Sequence, residues 1–231
     1  MRKHLKNFVF VFMIIGLVFG SVGMAAAATF QVNSIDGNWI NAVPSVTINN
    51  TGNPSTARWG VPVGFQQSGY DFLAAATPFA AVSDGTMFAL GNFTHHNFPI
   101  YAPSLDTIDL DIDLSIQDFG LLSAVFAIDH NETPNTTGGS ADNDIVTLTN
   151  PVLNATFTSG GIAYYFNLIG FSQDNGITLS DEFSTVEGQA NTATLFGKIT
   201  ESPISAPEPA TMLLLGLGLV GLAGIRKKIK K

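Results

Sequence analysis

From Ile108 to Ile116 apolar and polar side chains alternate without a break, with Asp109, Asp111, Asp113 and Ser115 set between Ile108, Leu110, Ile112, Leu114 and Ile116. Successive side chains of an extended chain leave on opposite faces. A period of two therefore sends the aliphatic set into a core and the aspartates into water, which is the pattern of a strand. Residues 121–128 are again apolar and follow Asp118-Phe119-Gly120, as the second arm of a hairpin would. The spacing predicts further strands over 29–35, 39–43, 86–93, 144–148, 152–158, 162–171 and 192–199. Turns are expected at Asp36-Gly37-Asn38, over 49–54, and at Asn150-Pro151, Ser159-Gly160-Gly161 and Asp174-Asn175-Gly176, where Asn, Gly, Asp, Ser and Pro collect. Residues 133–144 read as a polar surface loop, and no long helical periodicity precedes Thr211. Many short strands at this spacing predict an all-β domain, a β-sandwich or jelly roll in preference to a barrel.

The two ends of the chain read differently. Arg2, Lys3 and Lys6 precede an uncharged apolar stretch over 8–22 and then Met24-Ala25-Ala26-Ala27-Ala28, the layout of a secretory signal peptide with small residues at its cleavage site. Residues 1–28 are thus expected to be a signal peptide and 29–200 the β-sandwich ectodomain. A linker over 201–210 contains Pro207-Glu208-Pro209 and leads into an uncharged apolar run over 211–225. At about 1.5 Å per residue a helix of this length spans roughly 22 Å, short of a hydrocarbon core of about 30 Å. Snorkelling basic side chains and local bilayer thinning make up the difference, so 211–225 is expected to be a single transmembrane helix. Residues 226–231 carry five basic side chains and form a basic cytoplasmic tail under the positive-inside rule, which leaves Pro207-Glu208-Pro209 facing outward.

This order of Pro-Glu-Pro hinge, short apolar helix and basic stop resembles the PEP-CTERM sorting signal of exopolysaccharide-making Gram-negative bacteria. The resemblance implies export through the Sec translocon with removal of the leader by signal peptidase. It further implies a transient stay in the inner membrane and cleavage at Pro207-Glu208-Pro209 by exosortase, a membrane transpeptidase, with delivery to the cell surface or the extracellular space.

Composition bounds the partners. All 18 carboxylates lie between Asp36 and Glu208, where Arg58 and Lys198 are the only basic residues, so two positive charges face eighteen negative ones and the balance is −16 with histidine neutral. Such a surface repels phosphate backbones, and no nucleic-acid partner is expected. The chain has no cysteine, which excludes a disulfide scaffold, thiolate metal sites and thiol catalysis.

The most unusual local sequence is Leu90-Gly91-Asn92-Phe93-Thr94-His95-His96-Asn97-Phe98-Pro99-Ile100. Together with His130-Asn131-Glu132-Thr133-Pro134-Asn135, Asp144-Ile145-Val146, Trp59-Gly60 and Ser68-Gly69-Tyr70-Asp71-Phe72, it resembles the THxN group of PEP-CTERM proteins, related to the choice-of-anchor K domain proteins. Thr94, His95 and Asn97 fill the named positions, with His130, Glu132 and Asn135 in the second segment. The resemblance implies export and anchoring and supplies no activity.

Two chemistries compete for these residues. In an extended segment His95 and His96 point to opposite faces and do not share an ion, but one of them can converge with His130 and Glu132 in a His/His/carboxylate set suited to zinc or another transition metal. His95, His96, His130 and Glu132 are the metal candidates. The structural alternative, which the local sequence favours, has Thr94, His95 or Asn97 hydrogen-bonding to backbone to lock the turn into Pro99, and Glu132 to Asn135 fixing their own loop. Asp109, Asp111 and Asp113 would stand about 6.6 to 7 Å apart on one strand face, too far to chelate one calcium ion, and read as a solvated surface. Asp129, Asp142, Asn143 and Asp144 are better placed for calcium. Beyond a divalent cation, no cofactor is expected.

No nucleophile elbow, His-Glu-x-x-His helix or phosphate-binding glycine loop is present, so no catalytic residues are assigned and the chain is not expected to be an enzyme. Trp39, Trp59, Tyr70, Tyr101, Tyr164 and Tyr165 would stack on sugars only if exposed together. The expected function is that of an exported surface or extracellular-matrix protein, non-enzymatic and polysaccharide-associated. The alternatives are a metal- or calcium-dependent carbohydrate-binding protein and a polysaccharide hydrolase, whose acid pair needs geometry and no motif.

Overall fold

A computed structural model describes residues 26–134, 143–150 and 154–202. The expected signal peptide (all but its last residues), Asn135, Asp142, most of the 133–144 loop, Pro207-Glu208-Pro209, the apolar run over 211–225 and the basic tail over 226–231 lie outside the described residues. Among the described residues there is no helix, and therefore none long and apolar enough to cross a membrane.

The strands in chain order are β1 (Thr29–Val43), β2 (Thr47–Asn49), β3 (Ser55–Trp59), β4 (Val61–Pro62), β5 (Ser68–Ala74), β6 (Phe79–Val82), β7 (Asp84–Asn97), β8 (Ile100–Tyr101), β9 (Thr107–Ile116), β10 (Gly120–Asn131), β11 (Asp144–Leu148), β12 (Asn154–Ser159), β13 (Ile162–Ser172), β14 (Glu182–Thr185) and β15 (Gln189–Glu201). One sheet runs β14-β11-β10-β9-β1-β6 and the other β12-β13-β15-β7-β5-β3-β2, while β4 and β8 make a separate two-stranded ribbon. Pairing is antiparallel throughout.

The two large sheets face one another across a single core. Phe30 of β1 lies 5.1 Å from Phe157 of β12 and 4.8 Å from Tyr164 of β13, ring to ring. Further along the same strand Trp39 meets Tyr70 of β5 at 5.6 Å and Phe93 of β7 at 5.8 Å. Each such side chain stabilises the fold by about 1.5–3 kcal/mol through the apolar surface it removes from water. In β9 the alternation read from sequence is realised residue by residue, with Ile108, Leu110, Ile112, Leu114 and Ile116 buried and the aspartates half-exposed. The β9–β10 hairpin forms as expected, with Ile116 opposite Gly120 and Asp118 in the left-handed region at φ 63°.

Some expectations are corrected. Asp36-Gly37-Asn38 is no turn, because β1 runs through it unbroken and pairs Asp36, Gly37 and Asn38 with Asp113, Ile112 and Asp111. The glycine serves packing: a Cβ at Gly37 would collide with the ring of Phe72 on the facing sheet. The expected strand over 86–93 extends through Asn97 as part of β7. Strands β2 to β6, β8 and β14 have no clear periodicity of their own, being short or glycine- and proline-flanked, and they exist because a neighbouring strand offers them a ladder. Two asparagines take a strand's place where the ladder ends. Asn50 accepts from Trp39 N and donates to Trp39 O, both at 3.0 Å, and Asn150 accepts from Ala127 N at 2.8 Å and donates to Val125 O at 3.2 Å.

The acidic stripe is held at the surface by neutral partners. Asn41 donates to Asp109 at 2.7 Å and Ser123 to Asp111 at 2.6 Å. Asp113 sits directly opposite Asp36, and partial burial together with the Asp111 and Asp36 carboxylates raises its pKa. A raised carboxyl favours the fold below its unfolded-state pKa, and that contribution is lost as pH rises through the higher folded-state value. Asp113→Asn should therefore stabilise the protein slightly at neutral pH, by up to about 0.5 kcal/mol, with the gain vanishing below the ordinary value of 3.8. Thermal melts of both proteins across acid and neutral pH check this; a pH-independent difference would contradict it.

Candidate functional site

Thr94, His95, His96 and Asn97 lie inside β7, where Phe93, His95 and Asn97 face the core and Thr94 and His96 face outward. The side chains of a strand stand away from its own backbone, so these residues do not lock the turn into Pro99 as the sequence suggested. Ser68 does this instead, its hydroxyl donating to Phe98 O at 2.7 Å and accepting from Phe98 N at 3.1 Å. On the outer face Thr94 pairs with Thr192 at 2.8 Å. His96 meets Asp71 Oδ2 at 2.8 Å while Arg58 holds Asp71 Oδ1 at 2.6 Å. Burial alone would push the Asp71 carboxyl up, but the hydrogen bonds and charges of His96 and Arg58 outweigh it and bring the pKa below its ordinary value.

On the inner face four elements converge. His95 comes from β7 in one sheet, His130 and Asp144 come from β10 and β11 in the other, and Thr185 comes from β14 beside Asp144. All four are buried. The rings of His95 and His130 lie 5.0 Å apart and nearly perpendicular. Trp59 covers them, stacked on His95 at 5.9 Å and edge-on to His130 at 5.2 Å. One donor atom from each of His95, His130 and Asp144 falls within 4.8 Å of the others. The expected set is thus partly assembled: His95 and His130 meet, His96 points away, and Glu132 stands at the margin with Oε2 3.3 Å from His130 Nε2. Asp144 takes the central carboxylate position, and it is not grouped with Asp129, which is exposed on the outer face of β10.

Each member is anchored through its outward atom. His130 Nδ1 bonds the Tyr70 hydroxyl at 2.6 Å. Asp144 Oδ1 accepts from Thr133 N at 2.8 Å and from Thr133 Oγ1 at 3.2 Å. Thr185 Oγ1 lies 3.3 Å from the Asp144 carbonyl, to which it donates, and 2.8 Å from His95 Nδ1. A hydroxyl has one proton; with that proton on the Asp144 carbonyl, the Thr185 oxygen accepts from the imidazole, and His95 then carries its hydrogen on Nδ1 and presents a lone pair at Nε2. Asn97 donates to Thr185 O at 3.2 Å, reaching a strand of the other sheet and not its own turn.

Two of the three inward atoms are left without a hydrogen bond, the third, His130 Nε2, facing Glu132. His95 Nε2 and Asp144 Oδ2 are buried and make no hydrogen bond. Burial, reinforced by His130 and His96, drives the His95 pKa well down, so its ring stays neutral. Burial and the Glu132 carboxylate raise Asp144 to about 6, against the opposing pull of Thr133 and His130. Burial, Asp144 and Glu132 likewise push the Tyr70 phenol well up, keeping it a neutral hydrogen-bonding partner. Tyr70 and Thr185 were not assigned to a site from sequence, and Asp144 was named for calcium and not beside the histidines. Their signal was strand parity, because each shares a face with core residues such as Phe72, Val146 and Phe183.

Residues 205–228 match the family described as the PEP-CTERM protein-sorting motif. No curated protein matches the chain. The motif is recognised by exosortase and directs sorting to the cell surface. The match covers the tail and does not reach the β-domain, which ends at Glu201.

Because Tyr70 holds His130 in a dry environment, Tyr70→Phe should destabilise the domain by about 1–3 kcal/mol, a fall of several degrees in Tm. Thr94→Ala, on the outer face, should stay within about 0.5 kcal/mol. Equal losses from the two substitutions in thermal melts would count against this division of roles.

Proposed function

We propose that the chain is an exported component of the cell surface or extracellular matrix whose β-domain is non-enzymatic and associates with polysaccharide. The observation that carries the reading is position: the sorting motif begins at residue 205, just after β15 closes the domain at Glu201. In this reading residues 1–28 engage the Sec translocon and are removed by signal peptidase. Residues 211–225 then hold the protein in the inner membrane with 226–231 on the cytoplasmic side, until exosortase cuts at Pro207-Glu208-Pro209. Burial supports the non-enzymatic part, since the convergent ionisable groups His95, His130 and Asp144 are shut away from any polymeric substrate. Polysaccharide contact is supported by the β4–β8 corner, where Tyr101 is 64% exposed and Phe65 is fully exposed. Aromatic faces of this kind stack on sugar rings. Trp39, Trp59, Tyr70 and Tyr164 are buried and take no part.

Processing is tested by intact-mass measurement on surface-released protein from cells containing exosortase. The mature species should lack both the leader and the segment after Pro209, whereas release with Lys231 still attached would remove the sorting mechanism.

Polysaccharide association is tested by co-sedimentation with host exopolysaccharide, which Tyr101→Ala should weaken. Loss of co-sedimentation on adding a chelator would move the reading to an ion-dependent carbohydrate-binding protein, and release of reducing ends would move it to a hydrolase.

A further inference from the structure

We propose that His95 Nε2, His130 Nε2 and Asp144 Oδ2, with Glu132 as fourth ligand, form a buried site for one divalent transition-metal ion of the zinc class, which cross-links the two sheets.

The first support is the direction of the lone pairs. Thr185 fixes the proton of His95 on Nδ1, which aims a bare Nε2 inward, and Asp144 Oδ2 is likewise unpartnered; both side chains are fully buried. Leaving such acceptors buried and unpaired is unfavourable, and a cation offsets both at once. The second support is the outer shell. Metal-bound imidazoles characteristically donate their other N–H to a neighbouring oxygen, and ligating carboxylates are hydrogen-bonded on the far side. His95 has Thr185, His130 has Tyr70 and Asp144 has Thr133 in those places.

Distances fit as well. His130 Nε2 lies 4.0 Å from Asp144 Oδ2 and 3.3 Å from Glu132 Oε2. Zinc bonds of about 2.0–2.2 Å in a tetrahedron place neighbouring donors roughly 3.4 Å apart, so His130 and Asp144 need to close by about 0.6 Å and no pair of the three core ligands, all within 4.8 Å of one another, by more than about 1.4 Å. Two imidazoles with carboxylates suit zinc, cobalt or a neighbouring ion. Calcium and magnesium prefer shells made wholly of oxygen, which a set with two imidazole nitrogens does not provide. Four protein ligands leave no open position, so the ion is structural.

The test uses the full chain purified in detergent, stripped with a chelator and then titrated with Zn²⁺ or Co²⁺. One ion per chain should bind by native mass spectrometry, cobalt should give the visible absorption of a tetrahedral site, and Tm should rise by about 5–10 °C at a free ion concentration roughly 100 times Kd. Asp144→Asn keeps the shape of the side chain and the acceptor for Thr133, and it should abolish stoichiometric binding. Glu132→Gln keeps the shape of the side chain and an oxygen facing His130, and it should weaken zinc binding about tenfold or more, which gives a second test if Asp144→Asn does not fold. His96→Gln, on the opposite face, should bind as the parent does. Absence of a stoichiometric ion, an unchanged Tm, or cobalt absorption that survives in Glu132→Gln and Asp144→Asn alike would overturn the site. The processing experiment is independent, because a metal-free chain is still open to exosortase at Pro207-Glu208-Pro209.

Discussion

Trp39 leaves β1 and meets Tyr70 and Phe93 of the opposite sheet, and this contact across the core is the one on which the arrangement of the site depends. Aromatic pairs of this kind stabilise by about 0.5–1.5 kcal/mol beyond the area they bury, and they fix orientation as well as spacing. Phe72 adds to the same seam, its ring lying where Cβ atoms at Gly37 and Gly91 would have been. With the sheets held at this separation, the next inward residues along β7 and β10 are His95 and His130. Their rings meet because the aromatics before them set the gap.

Two imidazoles and a carboxylate in such a place are costly, since burial disfavours every charge. The hydrogen bonds from Tyr70, Thr133 and Thr185 offset part of that cost while fixing each group in one orientation. A partly satisfied polar cluster is less favourable than either a complete one or an apolar filling. The proposed ion completes the cluster, which explains why the donors point inward while their anchors lie behind them. It also supplies a cross-link to an exported domain that has no cysteine with which to make a disulfide.

The surface follows a separate logic. Asp109 and Asp111 are hydrogen-bonded by the neutral side chains of Asn41 and Ser123, so the acidic face of β9 stays at the surface and hydrated, while both edges of the strand are already paired with β1 and β10. The Arg58–Asp71–His96 group occupies the outer side of β3, β5 and β7, directly behind the buried histidine. Adjacent residues of one motif, His95 and His96, thus serve two chemically unrelated clusters.

What the sequence determined by itself was whatever depends on local periodicity. Alternation over 108–116 made β9 a strand and named its buried side chains, Asp118-Phe119-Gly120 marked the hairpin, the extended reading of His95 and His96 put them on opposite faces, and the order of residues in the tail carried the sorting motif. The tertiary structure decided everything that depends on which strands become neighbours. Gly37 looked like a turn residue because nothing local reveals that Phe72 will lie over it. Asn97 looked like a turn-former because nothing local reveals Thr185 across the core. Asp144 carried the right parity beside Val146, but parity states only that a side chain faces inward. Which other side chains it meets there is set by strand order and register, and these arise from packing over the whole chain.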